Sequence, residues 1–267
     1  MFKDITLGQF FPGDSFVHRL DPRTKICLSL IFIVLVFLAN SILGFALLGG
    51  FILLVAIITK IPLKFMIRGL KTIMFFIVLT AFFNLFLSTG TVIWQWRFLK
   101  ITDRGLELAL TMIARLVLLI FGTSILTLTT SPIALTDGIE ALLRPFKKIK
   151  LPVHELAMMM TIALRFIPTL IDETDKIIKA QTARGTDFES GNLIRRAKAL
   201  IPILIPLFIS SFRRADDLAL AMECRCYNGG ENRTRMKVLE MKAIDFVGWG
   251  VTLALGVIVI ILNYVRI

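Results

Sequence analysis

The chain has 267 residues, 56% of them hydrophobic and 19% charged, with a net charge of +12 and a mean hydropathy of +0.80. This balance excludes an ordinary soluble domain, in which about 25% of residues are charged, and a solvated disordered chain. Two histidines and three cysteines, none in ligand or catalytic spacing, give no metal site, disulfide framework or acid–base cluster.

Pro12, Asp14, His18, Asp21 and Pro22 precede the first apolar run, so no cleavable signal peptide is expected there. Apolar runs occupy 26–39, 42–58, 73–87, 106–128 and 246–262, against the roughly 20 residues that a span needs. The last two suffice, and the third requires its flanks. The first two are parted by Asn40-Ser41, both turn formers, and are predicted to form a tight hairpin of short spans. Gly49-Gly50 inside the second run reads as a packing or flexibility point, and the chain has no G-x-x-x-x-G-K-[ST] loop.

Basic residues cluster at Arg19, Arg23 and Lys25, in the loop holding Lys60, Lys64, Arg68 and Lys71, and through 132–242. These sides are expected to be cytoplasmic, which puts the C-terminus outside after five spans. Trp94 and Trp96 fit the outer aromatic belt, although that loop also carries Arg97, Lys100 and Arg104. The basic surplus is read as setting topology and meeting anionic lipid, not as a nucleic-acid footprint. Arg115, well inside the fourth run, has two readings: it faces a cavity or assembly interface, or it snorkels outward. Glu107 is too distant to pair with it.

Residues 132–242 mix Leu, Ile and Met with both signs of charge. A short helix is predicted from Ser131-Pro132 to Arg144-Pro145. After Pro152 a long one carries Leu156, Met159, Met160, Ala163, Ile167, Leu170, Ile171 and Ile178 at helical spacing up to Arg184. Pro168 should kink it and Gly185 should cap it in the left-handed conformation. A turn over 186–192 leads to a second long helix, from about 194 to 227, bent by Pro202 and Pro206. Both are expected to lie along the inner membrane boundary and against each other. The run Met158-Met159-Met160 suits core packing or a compliant partner surface. The expected fold is an all-α membrane protein: a four-span block over 1–131, a helical region over 132–242, and a final span over 243–267.

One pattern occurs twice, 41 positions apart. Ala180-Gln181-Thr182-Ala183-Arg184-Gly185 matches Ala221-Met222-Glu223-Cys224-Arg225-Cys226, with Asp175 and Asp216 nine residues before each arginine. A single arginine at a helix C-terminus complements the dipole and needs no further role. Two in matching contexts suggest two tips for two similar sockets, each guanidinium forking onto a carboxylate or backbone carbonyls. Ala183 and Gly185 allow close approach, whereas Cys224 and Cys226 are bulkier.

Several ordered segments then resemble a known family. His18-Arg19-Leu20-Asp21-Pro22-Arg23-Thr24-Lys25, Thr129-Thr130-Ser131-Pro132, and Gly138-Ile139-Glu140-Ala141-Leu142-Leu143-Arg144-Pro145 are similar to signatures of the EcfT/CbiQ-like transmembrane subunit of energy-coupling factor (ECF) transporters. Ala163-Leu164-Arg165-Phe166-Ile167-Pro168-Thr169-Leu170 and the two arginine motifs continue the match. The resemblance implies a scaffold joining two cytoplasmic ABC-type ATPases to a substrate-binding S component, with no catalytic residue and no cofactor of its own. It further implies that Ala183, Arg184 and Gly185, and Cys224, Arg225 and Cys226, end coupling helices that dock on the ATPases. The unequal tips favour two non-identical ATPases, and Met159, Ala163, Ile167 and Leu170 are the expected face toward the S component. The competing readings are a conventional ABC-importer permease that forms the substrate pathway itself, a membrane enzyme, and a stand-alone channel or carrier.

Overall fold

The computed structural model describes residues 10–96, 99–149, 152–186, 188, 192–229 and 238–264. The side chains of Trp94 and Trp96, all of Arg97, and most of the 186–192 turn lie outside the described residues.

The chain divides into two compact units, one of residues 8–139 and 239–267, the other of residues 1–7 and 140–238. In the first, α1 (Pro22–Leu38), α2 (Ile42–Thr59), α3 (Leu63–Leu87), α4 (Asp103–Thr129) and α9 (Ala243–Tyr264) alternate in direction. Its core contains Phe32, Leu35, Val36, Leu48, Ile52, Met66, Leu118, Leu128 and Val259. The α1–α2 break falls at Ala39–Ser41, as expected, but the hairpin is splayed. Both α4 and α9 pack against α1 and against α2, leaving an apolar cavity of about 490 Å³ lined by Leu28, Phe32, Phe51, Val55, Ile125 and Val251. The aromatic rings of Phe32 and Phe51 bridge the gap with centroids 6.2 Å apart.

The third span is longer than its apolar run. Lys64, Arg68 and Lys71, expected in a loop, ride on the first turns of α3. Helix continues there because Met66, on the opposite face, is buried in the core. The Trp94 loop holds a short antiparallel hairpin, β1 (Val92–Trp96) with β2 (Leu99–Thr102). This is the sole departure from all-α structure among the described residues. Thr102 then caps α4, its Oγ1 accepting the Gly105 N–H at 3.1 Å.

The second unit contains the end of α5 (Pro132–Leu143), a 3-10 turn (Arg144–Ile149), α6 (Val153–Ala183), α7 (Leu193–Ala199) and α8 (Ile201–Cys224). The single helix expected over 194–227 breaks at Leu200. Pro202 cannot donate a backbone hydrogen bond and disfavours helical geometry in the residue before it. Among the described residues, α2, α3, α4, α6 and α9 are long and apolar enough to cross a membrane by length and composition. The sequence reading counted α1 in place of α6. With 17 residues α1 is at the lower limit of about 17, whereas α6 has 31.

Candidate partner-docking tips

Both arginine motifs close their helices in the same way. At the end of α6 the Thr186 N–H donates to Gln181 O at 3.0 Å and the Gly185 N–H to Thr182 O at 3.0 Å. At the end of α8 the Tyr227 N–H donates to Met222 O at 3.0 Å and the Cys226 N–H to Glu223 O at 2.8 Å. Each is a complete Schellman motif, which needs a left-handed residue just past the cap. Gly185 takes that position with φ +88° and Cys226 with φ +55°. Arg184 and Arg225 are the cap residues themselves. Ala183, Arg184, Gly185, Cys224, Arg225 and Cys226 are all exposed.

A left-handed cysteine was not foreseen. Aligning the two motif copies would have found it, since Cys226 falls on Gly185. The energetic distinction is real: an L-residue in this region is costlier by about 1–2 kcal/mol, whereas glycine is not.

The two tips point to opposite ends of one antiparallel pair. Gln181 Nε2 donates to Pro202 O at 3.5 Å, and Glu173 accepts hydrogen bonds from Ser210 Oγ and Arg214 Nη2. Met158 and Ile162 share a cavity of about 430 Å³ with Leu218, Met222, Arg225 and Tyr227. Arg225 therefore sits beside the start of α6, and Arg184 at its far end. At about 1.5 Å per residue the stretch from Met158 to Arg184 is roughly 40 Å. The sequence treated the tips as equivalent; packing makes them unlike. Adding a Cβ to Gly185 would meet nothing within 4 Å, whereas Arg225 forms part of a Met-lined hollow.

Of the face expected toward a membrane partner, Met159 and Ala163 are exposed, and Ile167 and Leu170 half-buried. Along α6 only Val153 and Ala157 are fully buried within this chain, and along α8 only Ile203. The sequence reading missed Glu173, Ser210 and Arg214. Their signal was present in the i, i+4 spacing of Ser210 and Arg214, which places both on one face.

In the first unit, the His18–Lys25 segment acquires a structural role. Asp21 Oδ1 caps α1 by accepting the Arg23 N–H at 2.9 Å. Lys25 Nζ donates to the carbonyls of His18 and Thr129, each at 3.0 Å. Asp245, only 1% exposed, accepts the N–H of Asp21 and of Lys242, each at 2.8 Å. His18 Nε2 donates to Phe11 O at 3.0 Å, and its Nδ1 lies 2.7 Å from Ser15 Oγ. These bonds tie the starts of α1 and α9 to the end of α4.

Among the described residues no cluster of His, Cys, Asp and Glu is placed to hold a metal ion. Cys27, Cys224 and Cys226 are free thiols.

A sequence profile of the CbiQ family, described as cobalt transport protein, matches residues 13–236. The chain belongs to this family. It is 57% identical to the energy-coupling factor transporter transmembrane protein EcfT of Ruminiclostridium cellulolyticum over 265 residues, covering 99% of each chain. The protein of that name from Thermosediminibacter oceani is 58% identical, covering 96% of each. The one from Bacillus subtilis is 49% identical over 246 residues, covering 92% of this chain and 93% of its own. Family and fold together make this a membrane-embedded transporter subunit of the ECF type, as the ordered motifs implied.

Proposed function

We propose that the protein is the non-catalytic coupling subunit of an ECF-type importer. It carries ATP-driven motion from two cytoplasmic ATPases, unlike in sequence, to a membrane S component that binds a vitamin or other micronutrient. Arg184 with Ala183 and Gly185 enters one ATPase, and Arg225 with Cys224 and Cys226 enters the other. Met159, Ala163, Ile167 and Leu170 of α6 face the S component. The N-terminus is cytoplasmic and the C-terminus outside.

The observation carrying this reading is the pair of arginine-capped Schellman tips at opposite ends of two long, mutually bonded helices. A rigid closed turn presents each guanidinium at a fixed angle, which suits bidentate capture of a carboxylate or of backbone carbonyls. Opposite tips on one antiparallel pair receive two separate inputs, and the helices convey displacement over their length. The difference between the tips is why the two ATPases are taken as non-identical.

The test is co-purification from membranes followed by reversal of both charges. The native chain should bring down two nucleotide-hydrolysing subunits and an S component, and Arg184→Glu with Arg225→Glu should release the ATPases. Retention of the ATPases by the doubly reversed chain would remove the tips as docking points. Uptake by the chain and its ATPases without any further membrane protein would favour a conventional permease.

A further inference from the structure

We propose that Glu173, bonded to Ser210 and Arg214, is the clasp that fixes the register of α6 against α8 and so makes the two tips move as one body. The inference rests on the coupling function proposed above for its purpose, but not for its geometry.

Helices that couple two distant tips must not slide past one another. Apolar faces alone resist sliding weakly, because a shift of one turn exchanges one set of Leu, Ile and Met contacts for a similar set. Full burial within the chain is confined to Val153 and Ala157 near the start of α6 and to Ile203 near the start of α8. The middle of the pair therefore lacks a fully buried apolar key. Glu173 supplies a directional one: Ser210 and Arg214, one turn apart on α8, converge on a single carboxylate. A one-turn shift of about 5.4 Å would carry at least one donor out of reach. Ion pairs joined by further hydrogen bonds in a partly enclosed site hold geometry better than lone surface pairs.

The surroundings fit a clasp that can form and re-form. Glu173 and Arg214 border a polar cleft of about 310 Å³ together with Thr169, Asp172 and Lys176. The side chains of Arg214 and Glu173 remain 37% and 22% exposed, so water can solvate both charges when the bond opens. A second polar link between the helices, from Gln181 to Pro202 O, is long at 3.5 Å and uncharged. Glu173 is thus a positioning residue, since it touches neither tip.

The experiment measures the distance between spin labels attached at positions 179 and 220, both exposed, in the full-length chain with Cys27, Cys224 and Cys226 changed to serine. The chain is studied in lipid nanodiscs with whatever ATPases co-purify, before and after addition of Mg-ATP and vanadate. The otherwise native chain should give one narrow distance peak that keeps its position on nucleotide addition. Glu173→Ala should broaden the peak and let it move on nucleotide addition. The exchanged pair Glu173→Arg with Arg214→Glu should restore a narrow peak. A narrow, unchanged peak in Glu173→Ala would overturn the clasp. If that variant fails to insert, the exchanged pair decides alone: narrow supports the clasp and broad overturns it. Absence of ATPases from the native preparation would defeat the coupling function while leaving the width comparison intact.

Discussion

The guanidinium of Arg115 donates a hydrogen bond of 3.1 Å to the carbonyl of Ala39, the residue that ends α1. Asn40 Oδ1 lies 3.4 Å from the same nitrogen, and the Cζ is 5.8 Å from the Phe37 ring centre and 5.9 Å from that of Phe45. The arginine inside the fourth apolar run therefore has its partners within the chain, at the turn between α1 and α2. The α1–α2 turn lies level with it, because α1 is antiparallel to α4 with Lys25 beside Thr129 and Ala39 beside Arg115. Length from the near end of α1 to this turn is roughly 25 Å, close to the far side of a hydrocarbon core about 30 Å thick.

Arg115→Met should lower stability by about 1.5–3 kcal/mol, the usual worth of a hydrogen bond to a charged group. Arg115→Lys should recover only part, since an ammonium lacks the planar fork and its ring stacking. The midpoint of thermal unfolding in nanodiscs checks both.

Two glycines should respond with opposite signs. A Cβ on Gly105 would stand 2.8 Å from Thr102 Oγ1 and 2.9 Å and 3.0 Å from the backbone carbonyls of Leu85 and Asn84. Gly105→Ala should therefore force α3 and α4 apart and destabilise by about 1–3 kcal/mol. A Cβ on Gly50 meets nothing within 4 Å, so Gly50→Ala should stabilise α2 by up to about 1 kcal/mol. Comparing detergent-resistance midpoints of the two variants tests the pair.

At the second tip, Cys226→Gly should relieve left-handed strain and stabilise the turn by about 0.5–1 kcal/mol, whereas Cys226→Val should loosen it. Hydrogen exchange at the amides of Cys226 and Tyr227, which close the motif, should slow in the first variant and quicken in the second. Equal rates in all three chains would show that the turn is not under backbone strain.

Asp245→Ala removes the acceptor of two N–H groups, those of Asp21 and Lys242. An unpaired buried donor costs about 1–3 kcal/mol; the Asp21 N–H is buried and that of Lys242 only partly so, so the expected loss is about 2–4 kcal/mol. Asp245→Asn keeps one carbonyl oxygen and should fall between that variant and the native chain. Chemical unfolding monitored by a fluorophore on α9 would rank the three.

Much of this protein was legible from local pattern. Apolar run length located α2, α3, α4 and α9, though not α6, because a bilayer tolerates few unpaired polar groups. Pro132 and Pro152 mark the starts of α5 and α6, since proline suits the first turn of a helix or the residue before it. Gly185 announces a left-handed cap because it alone takes that conformation without steric cost. The repeated arginine motif likewise foretold two matching tips, for the rules of helix capping act over only a few residues.

Three features were decided only by tertiary structure. The tips lie at opposite ends because α6 and α8 run antiparallel, and sequence spacing carries no information about which faces of two helices meet. Arg115 found its partner 76 residues away in Ala39, and Asp245 found Asp21 at a separation of 224. Glu173 looks like any solvated helix carboxylate until Ser210 and Arg214 are folded against it. Capping and span length depend on neighbours along the chain and are therefore written in it. Register, handedness of packing and long-range polar pairing depend on how whole helices settle against each other, and these emerge only when the chain has folded.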